Sequence, residues 1–293
     1  MRSSHIQQRH GPFVLGLSAL LMACSKPSAD CREGFVRGDD NQCHLAQDTA
    51  GFDGDPVGHL DSSLSAHWER GFPEPFTLRE HYLSFLEEGD EDCPVLMDAA
   101  FSPQDCTSQS GTHFYGLAFY QEHDRIQDQP GYLFAMQASF ELRRPGEGSF
   151  SAGGGFGYEV LALSNEPTVW MAFVQGSFEY AHAPGWLGEG VTSGLAIRGS
   201  HDGPDYRMNI EGGSGQEETY IFWDSVDVDS QVCDGHPVGR IGARGPGPAW
   251  TWWTLDERCN GCGDVEYKGE SLGEFCLDLR GELDSIAEQM EVL

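Results

Sequence analysis

From about residue 112 onward, apolar residues recur at every second position, and that period limits what the chain can fold into. In LFAMQASFELR, residues 133–143, Phe134, Met136, Ala138, Phe140 and Leu142 alternate with Gln137, Ser139, Glu141 and Arg143. DYRMNIEG, residues 205–212, sets Tyr206, Met208 and Ile210 against Asp205, Arg207, Asn209 and Glu211 in the same way. Successive side chains of a strand point to opposite faces, so both segments read as antiparallel strands with one face in a core and one in water. TVWMAFV, residues 168–174, is apolar at nearly every position and reads as a central strand. Further strands are expected near 113–121, 157–163, 177–181, 194–199, 218–229, 238–243 and 250–255, with Gly, Pro and Asn clusters between them. About ten strands and few helices predict a mainly β protein, an antiparallel β-sandwich of jelly-roll type.

Two helices are expected. In TLREHYLSFLEEG, Thr77 and Glu80 fit a capping box, Leu78, Tyr82 and Phe85 share a face, and Gly89 is placed to end the helix. At the other end, Leu279, Leu283, Ile286, Met290 and Leu293 follow four-three-four-three spacing. Residues 281–292 should therefore form an amphipathic helix that packs on the sheet.

Before the sandwich, residues 24–75 are polar, rich in Asp and Gly and without a periodic apolar pattern, which reads as a tether. Within it, CREGFVRGDDNQC resembles the last hairpin of an EGF-like module. It has only two cysteines, so it reads as a small loop closed by Cys31 and Cys43. The expected organisation is a leader over 1–23, the tether over 24–75 and the β domain over 76–293. FSAGGGFGYEVLAL followed by TVWMAF resembles concanavalin A-like or laminin G-like jelly rolls in its Gly-rich turns and strand order.

The leader sets the expected address. Arg2 and Arg9 precede an apolar run, residues 13–23, that is eleven residues long. About 20 residues are needed to cross a bilayer as a helix, so a basic head and a short apolar core read as a secretory signal. Leu21-Met22-Ala23-Cys24 resembles the lipobox of bacterial lipoproteins, with Met22 a less usual residue at its position. That resemblance implies cleavage after Ala23 and acylation of Cys24 by chains such as palmitate, which would hold the protein to the membrane. Ser25 after the cysteine, by the same resemblance, implies sorting to the outer membrane.

Cysteine arithmetic agrees. Nine cysteines are an odd number for an exported chain, and setting Cys24 aside leaves Cys31, Cys43, Cys93, Cys106, Cys233, Cys259, Cys262 and Cys276. Eight suit four disulfides in an oxidising compartment. The loop CPVLMDAAFSPQDC is expected to be closed by Cys93–Cys106. The last four cysteines leave three readings open: two disulfides in any of three connectivities, a zinc knot, or a redox pair at CNGC.

Charge excludes one class of partner. The formal net charge is −30, and −32 without the first 23 residues, a balance that repels phosphate backbones and argues against nucleic acid. No H-E-x-x-H, G-x-S-x-G or phosphate-cradling G-x-x-x-x-G-K motif is present. Glu159, Glu217 and Glu218 are acids that folding could bring together for glycoside hydrolysis, which needs a pair of carboxylates.

The binding candidates are aromatic and acidic. WTWW, residues 250–253, puts Trp250 and Trp252 on one face of a strand and Trp253 on the other, either for packing or for stacking on sugar rings. Trp186, in HAPGWLGEG, sits in a Gly-Pro loop and is a second such candidate. In YIFWDSVDVD, Tyr220, Phe222, Val226 and Val228 fall on one face together with Asp224. Asp224 then needs a partner, metal or ligand, unless a β-bulge near Ser225 turns it outward. Asp227 and Asp229, on the polar face, could share a calcium ion. The expected function is a non-catalytic ligand-binding or adhesion module on the bacterial envelope, with carbohydrate as one ligand. The alternatives are a polysaccharide hydrolase and a structural protein that binds another envelope protein.

Overall fold

The structure is a computed structural model that describes residues 35–37, 43–45, 55–70, 75–126, 129–146, 148–161, 168–180, 191–216, 219–245, 249–256 and 258–291. The chain divides into two compact units, Met1–Ala46 and Gln47–Leu293. In the first, β1 (Phe35–Arg37) and β2 (Cys43–Leu45) form an antiparallel hairpin with Arg37 opposite Cys43. Cys31, the expected partner of Cys43, lies outside the described residues.

Among its described residues the second unit has one sheet of thirteen strands and three α-helices. The strands are β3 (Leu96–Met97), β4 (Ala100–Thr107), β5 (His113–Ile126), β6 (Gln129–Arg144), β7 (Gly148–Leu161), β8 (Thr168–Tyr180) and β9 (Val191–Asp202). They continue with β10 (Asp205–Gln216), β11 (Thr219–Asp229), β12 (Val238–Arg244), β13 (Trp250–Leu255), β14 (Cys262–Tyr267) and β15 (Glu270–Cys276). Each pairs antiparallel with its neighbours in sequence. The class expected from the sequence, mainly antiparallel β with few helices and disulfides, is the class observed. Its arrangement differs from a two-sheet jelly roll: the strands form a single meander, and helices rather than a second sheet cover its apolar face. TVWMAFV lies within β8, central between β7 and β9 as its composition predicts.

Alternation decides which face is covered. On β6 the residues Phe134, Met136, Ala138, Phe140 and Leu142 are buried, while Gln137, Ser139 and Arg143 are exposed. Helix α1 (Pro56–Arg70) packs on β11 to β13, and α2 (Pro75–Leu86) on β7 and β8. From α2, Phe76 meets Phe134 and Tyr158 at ring distances of 5.1 and 4.8 Å, and Tyr82 meets Phe140 at 5.5 Å. Burying a large apolar side chain contributes about 1.5–3 kcal/mol, so this seam is the main local source of stability. Helix α3 (Arg280–Glu291) buries Leu283, Ile286 and Ala287, and the Tyr206 hydroxyl donates to Asp284 at 2.5 Å. It begins one residue before the expected helix.

Helix α1 corrects the reading of 24–75 as a tether. Leu60, Ser63 and Leu64 are buried at helical spacing, and Asp55 caps the start by accepting the Val57 N–H at 3.1 Å. Pro56 occupies the first helical position, where its missing N–H costs nothing. Only two leucines mark the buried stripe, so the pattern was too sparse to see without the sheet it packs on. Helix α2 likewise starts at Pro75, two residues before the expected cap.

Glycines shape the sheet at two further points. Gly116 and Gly212 have φ of +101° and +102°, and a Cβ there would stand 2.1 and 1.9 Å from carbonyl oxygens of the adjacent strands. Only glycine permits such a bend inside a paired strand.

The last four cysteines resolve to two disulfides, Cys233–Cys259 and Cys262–Cys276, and Cys93–Cys106 closes the loop expected for it. CNGC is therefore split between two bridges. The zinc and redox readings lose their thiols.

Candidate functional site on the outer face of the sheet

The face not covered by helices is built from residues that alternate with the core. On β11, Ile221 and Trp223 point inward. A bulge at Asp224 and Ser225, where Ser225 has φ of +53°, then restores Val226 and Val228 to the core. Asp224 is thereby turned to solvent, while Tyr220 and Phe222 take the outer face instead of the inner one.

Tyr220 and Phe222 are joined there by β13. Trp250 and Trp252 stack with ring centres 5.4 Å apart and planes 22° apart, and Phe222 meets both edge-on at 6.0 and 6.3 Å. Trp253, one residue along, is fully buried on the opposite face and donates its Nε1–H to the Phe275 carbonyl at 3.2 Å. Both tryptophan rings lie over Gly242 of the adjacent strand β12, whose added Cβ would stand 2.7 Å from Trp252 and 2.8 Å from Trp250.

Two arginines of β12 enter the same cluster. The Arg240 guanidinium carbon is 4.1 Å from the Trp252 ring centre. That of Arg244 is 5.9 Å from Tyr220 and 6.0 Å from Trp250. Arg244 is 7% exposed and Trp250 5%, whereas Arg240, Trp252 and Phe222 are half-buried and line the open side.

Strand register extends the site sideways. One cross-strand row reads Leu117, Ser139, Gly153, Ser177, Thr192, Gly215, Tyr220, Arg244 and Trp250. The row beside it reads Phe119, Gln137, Gly155, Gln175, Gly194, Gly213, Phe222, Gly242 and Trp252. Between Phe119 and the aromatic cluster lies a strip of hydroxyl and amide groups, with bare backbone at Gly153 and Gly194, where an added Cβ would meet nothing within 4 Å. It contains an open cavity of about 460 Å³ floored at Gly153 and bordered by Ser139, Ser151, Ser177, Thr192 and Tyr115. Glu141 and Glu179 also border it, two strands apart across Ser151. Tyr115 and Phe119 are 54% and 61% exposed, so the far rim is aromatic and open to solvent.

Of the residues singled out in the sequence, Trp252 and Asp224 both neighbour Arg240, Trp252 beneath its guanidinium and Asp224 as its register partner. Trp186 and Cys24 lie outside the described residues. Asp227 accepts a hydrogen bond from Asn209 at 2.9 Å. Asp229 is bound by Arg207 at 2.7 Å and by the Gln231 N–H at 2.8 Å. Among the described residues, the group close enough to hold a metal is Cys262, Glu274 and Cys276, whose two sulfurs are already joined. Arg240, Arg244 and the Ser139–Ser177–Thr192 row gave no signal in the sequence, since each is one outward residue of an ordinary alternating strand.

A second polar cluster lies on the inner face. Arg79 of α2 donates to Tyr120 at 2.8 Å and to Glu122 at 2.5 Å, and both Tyr120 and Tyr132 donate to Glu122. Burial alone would raise the Glu122 carboxyl. The hydrogen bonds from Arg79, Tyr120 and Tyr132, with the Arg79 charge, outweigh it and hold the group below the ordinary carboxylate range. Burial and the bond to Glu122 push both tyrosines up. Every member has a partner, so the cluster fastens α2 to β5 and β6 rather than offering a site.

No family model matches the chain, and no curated protein and no solved structure is significantly similar to it.

Proposed function

We propose that the protein is a lipid-anchored protein of the bacterial envelope, at the outer membrane, whose sheet binds carbohydrate on its outer face without cleaving it. The observation that carries the reading is the strip between Tyr115 and Trp252, in which hydroxyl and amide side chains over bare glycines are flanked by aromatic rings. A sugar offers an apolar face that suits an aromatic ring, and hydroxyls that exchange hydrogen bonds with Ser, Thr and Gln. Bare glycine backbone lets a flat ring come close to the sheet. The anchor rests on Cys24 and the leader before it, and places the membrane as the first partner.

The test is retention of the full chain, purified in detergent, on a panel of neutral and acidic glycans and cell-wall fractions. Binding that Trp252→Ala weakens, with the unfolding midpoint nearly kept, supports the reading. No retention on any fraction sinks it.

A second reading is favoured by Glu141 and Glu179, which border the cavity from strands two apart. Neighbouring strands lie about 4.8 Å apart, so the two backbones are roughly 9.6 Å apart, near the carboxylate separation of inverting glycosidases. Both side chains are open to solvent and Glu141 is held by Arg143 at 2.5 Å, which is why binding is preferred. Release of reducing ends from a polysaccharide, abolished by Glu179→Gln, would establish hydrolysis instead.

A further inference from the structure

With 47 acids against 17 basic residues, an arginine of this protein readily finds a carboxylate. Arg79, Arg143, Arg144, Arg198, Arg207, Arg258 and Arg280 each have one within 4.0 Å. Among the sheet domain's arginines with described side chains, Arg240 and Arg244 are the two with no ion pair to a described carboxylate.

Their setting makes the difference physical. Arg244 is more than nine-tenths buried, and its Nε–H has no acceptor among the described residues. The same holds for Nε1–H of Trp250, its register partner on β13. A buried donor left without an acceptor bears its full desolvation penalty, and more so when charged. The ring contacts offset part of this, but at 5.9 and 6.0 Å they stand at the outer limit of a cation–π interaction. Arg240 could have reached Asp224, its register partner, and lies on Trp252 instead. Asp264 and Glu266 of β14 are the next acids on this face, opposite Thr254 and Trp252. None of the three forms an ion pair with either arginine, so both positive charges stand on this face without a carboxylate, Arg240 on its open side and Arg244 beneath.

We infer that the saccharide bound on this face is an acidic one. Its anionic substituent, a uronate carboxylate or a sulfate ester, accepts from the Arg240 guanidinium on the open side, with the Arg244 charge beneath it, while its ring rests on Trp252. The inference builds on the carbohydrate reading above and adds the class of ligand. Planar, rigid guanidinium donors suit either oxyanion. The net charge of −30 works against a long polyanion, as it does against nucleic acid, whereas the two guanidiniums act on one anionic substituent at contact range, within the roughly 8 Å that salt leaves unscreened.

The experiment compares matched probes on the full chain in detergent: oligogalacturonate against its methyl ester, and dextran sulfate against dextran. At least one charged probe should bind about 10- to 100-fold more tightly than its neutral match, as expected for charge-assisted hydrogen bonds. The preference should shrink as salt rises. Whichever charged probe is preferred identifies the carboxylate or the sulfate. Arg240→Gln, at a half-exposed position that leaves the fold intact, should bring the charged probe down to the neutral level. Arg244→Gln should lower the preference as well, with circular dichroism to confirm its fold. Equal binding within both pairs, or a charge preference that survives Arg240→Gln, overturns the acidic-ligand inference and leaves the carbohydrate reading standing. Failure to bind any of the four probes or any neutral glycan overturns both.

Discussion

Asp224 and Arg240 face each other across β11 and β12, yet the Arg240 guanidinium lies on Trp252, 4.1 Å from the ring centre. An exposed ion pair contributes little, about 0–1 kcal/mol, because water screens it and both side chains lose freedom. The face of a half-buried indole offers a comparable attraction and also covers the arginine stem. The bulge at Ser225 supplies the rest, by turning Asp224 out into solvent.

Neighbouring tryptophans should behave oppositely. Trp253 is fully buried, and Trp253→Ala should cost about 3–5 kcal/mol in urea unfolding. Trp252 is half-buried on the outer face, and its replacement by alanine should cost about 1 kcal/mol, set by the stacking and cation–π contacts it loses. Equal losses would mean that the outer face is not a separate surface.

The floor of the aromatic cluster is tested at Gly242. Gly242→Val places branched carbon where the rings of Trp250 and Trp252 lie, so one ring must lift. The expected result is a changed near-ultraviolet circular dichroism signal from the stacked pair and loss of glycan binding. A wild-type spectrum would show that the rings do not rest on that backbone.

Acid stability should depend on Glu122. Its carboxyl is held below the ordinary range in the folded protein, so its contribution is fully present above the unfolded value of about 4.3. The contribution fades as pH falls through the folded value. Glu122→Gln should therefore lower the melting temperature near neutral pH, and the two curves should converge as the pH becomes strongly acidic. Parallel curves down to the lowest pH would remove the proposed link.

Peptide mapping without reduction should recover Cys93–Cys106, Cys233–Cys259 and Cys262–Cys276. Removing the first, which closes a separation of 13 residues, should cost about 3 kcal/mol. A peptide joining Cys233 to Cys276 would contradict the structure.

Mass spectrometry of the protein made in a Gram-negative host should find Cys24 as an acylated N-terminus. Cys24→Ser should release the protein from the membrane fraction. An unmodified Cys24 would overturn the anchor.

Much of the sheet could be read from alternation, and the exceptions have physical causes. FSAGGGFG looks like turns, yet it lies within β7, because glycine has no side chain to carry the period. Leu60 and Leu64 did not suffice to announce α1, since a short helix with a sparse stripe is stable only on the surface it packs against. On β11 strict alternation puts Tyr220 and Phe222 on the inward face with Val226 and Val228, and the bulge reverses this by shifting the parity between two apolar stretches. Trp252 and Asp224 stand out in the sequence by residue type and parity, whereas Arg240 and Arg244 do not, being outward residues of an ordinary strand.

What the sequence determined by itself is local: the strand period, the mainly β class, the cysteine pair around the loop from 93 to 106, and the helices at Leu78 and Leu283. Only the tertiary structure decided the single meander, the pairing of the last four cysteines and the union of Ser139, Ser177, Thr192, Tyr220, Arg244 and Trp250 in one strip. The period of a strand is fixed by its own backbone. A row across a sheet runs at right angles to the chain, and its members are brought together only by the register of every strand between them.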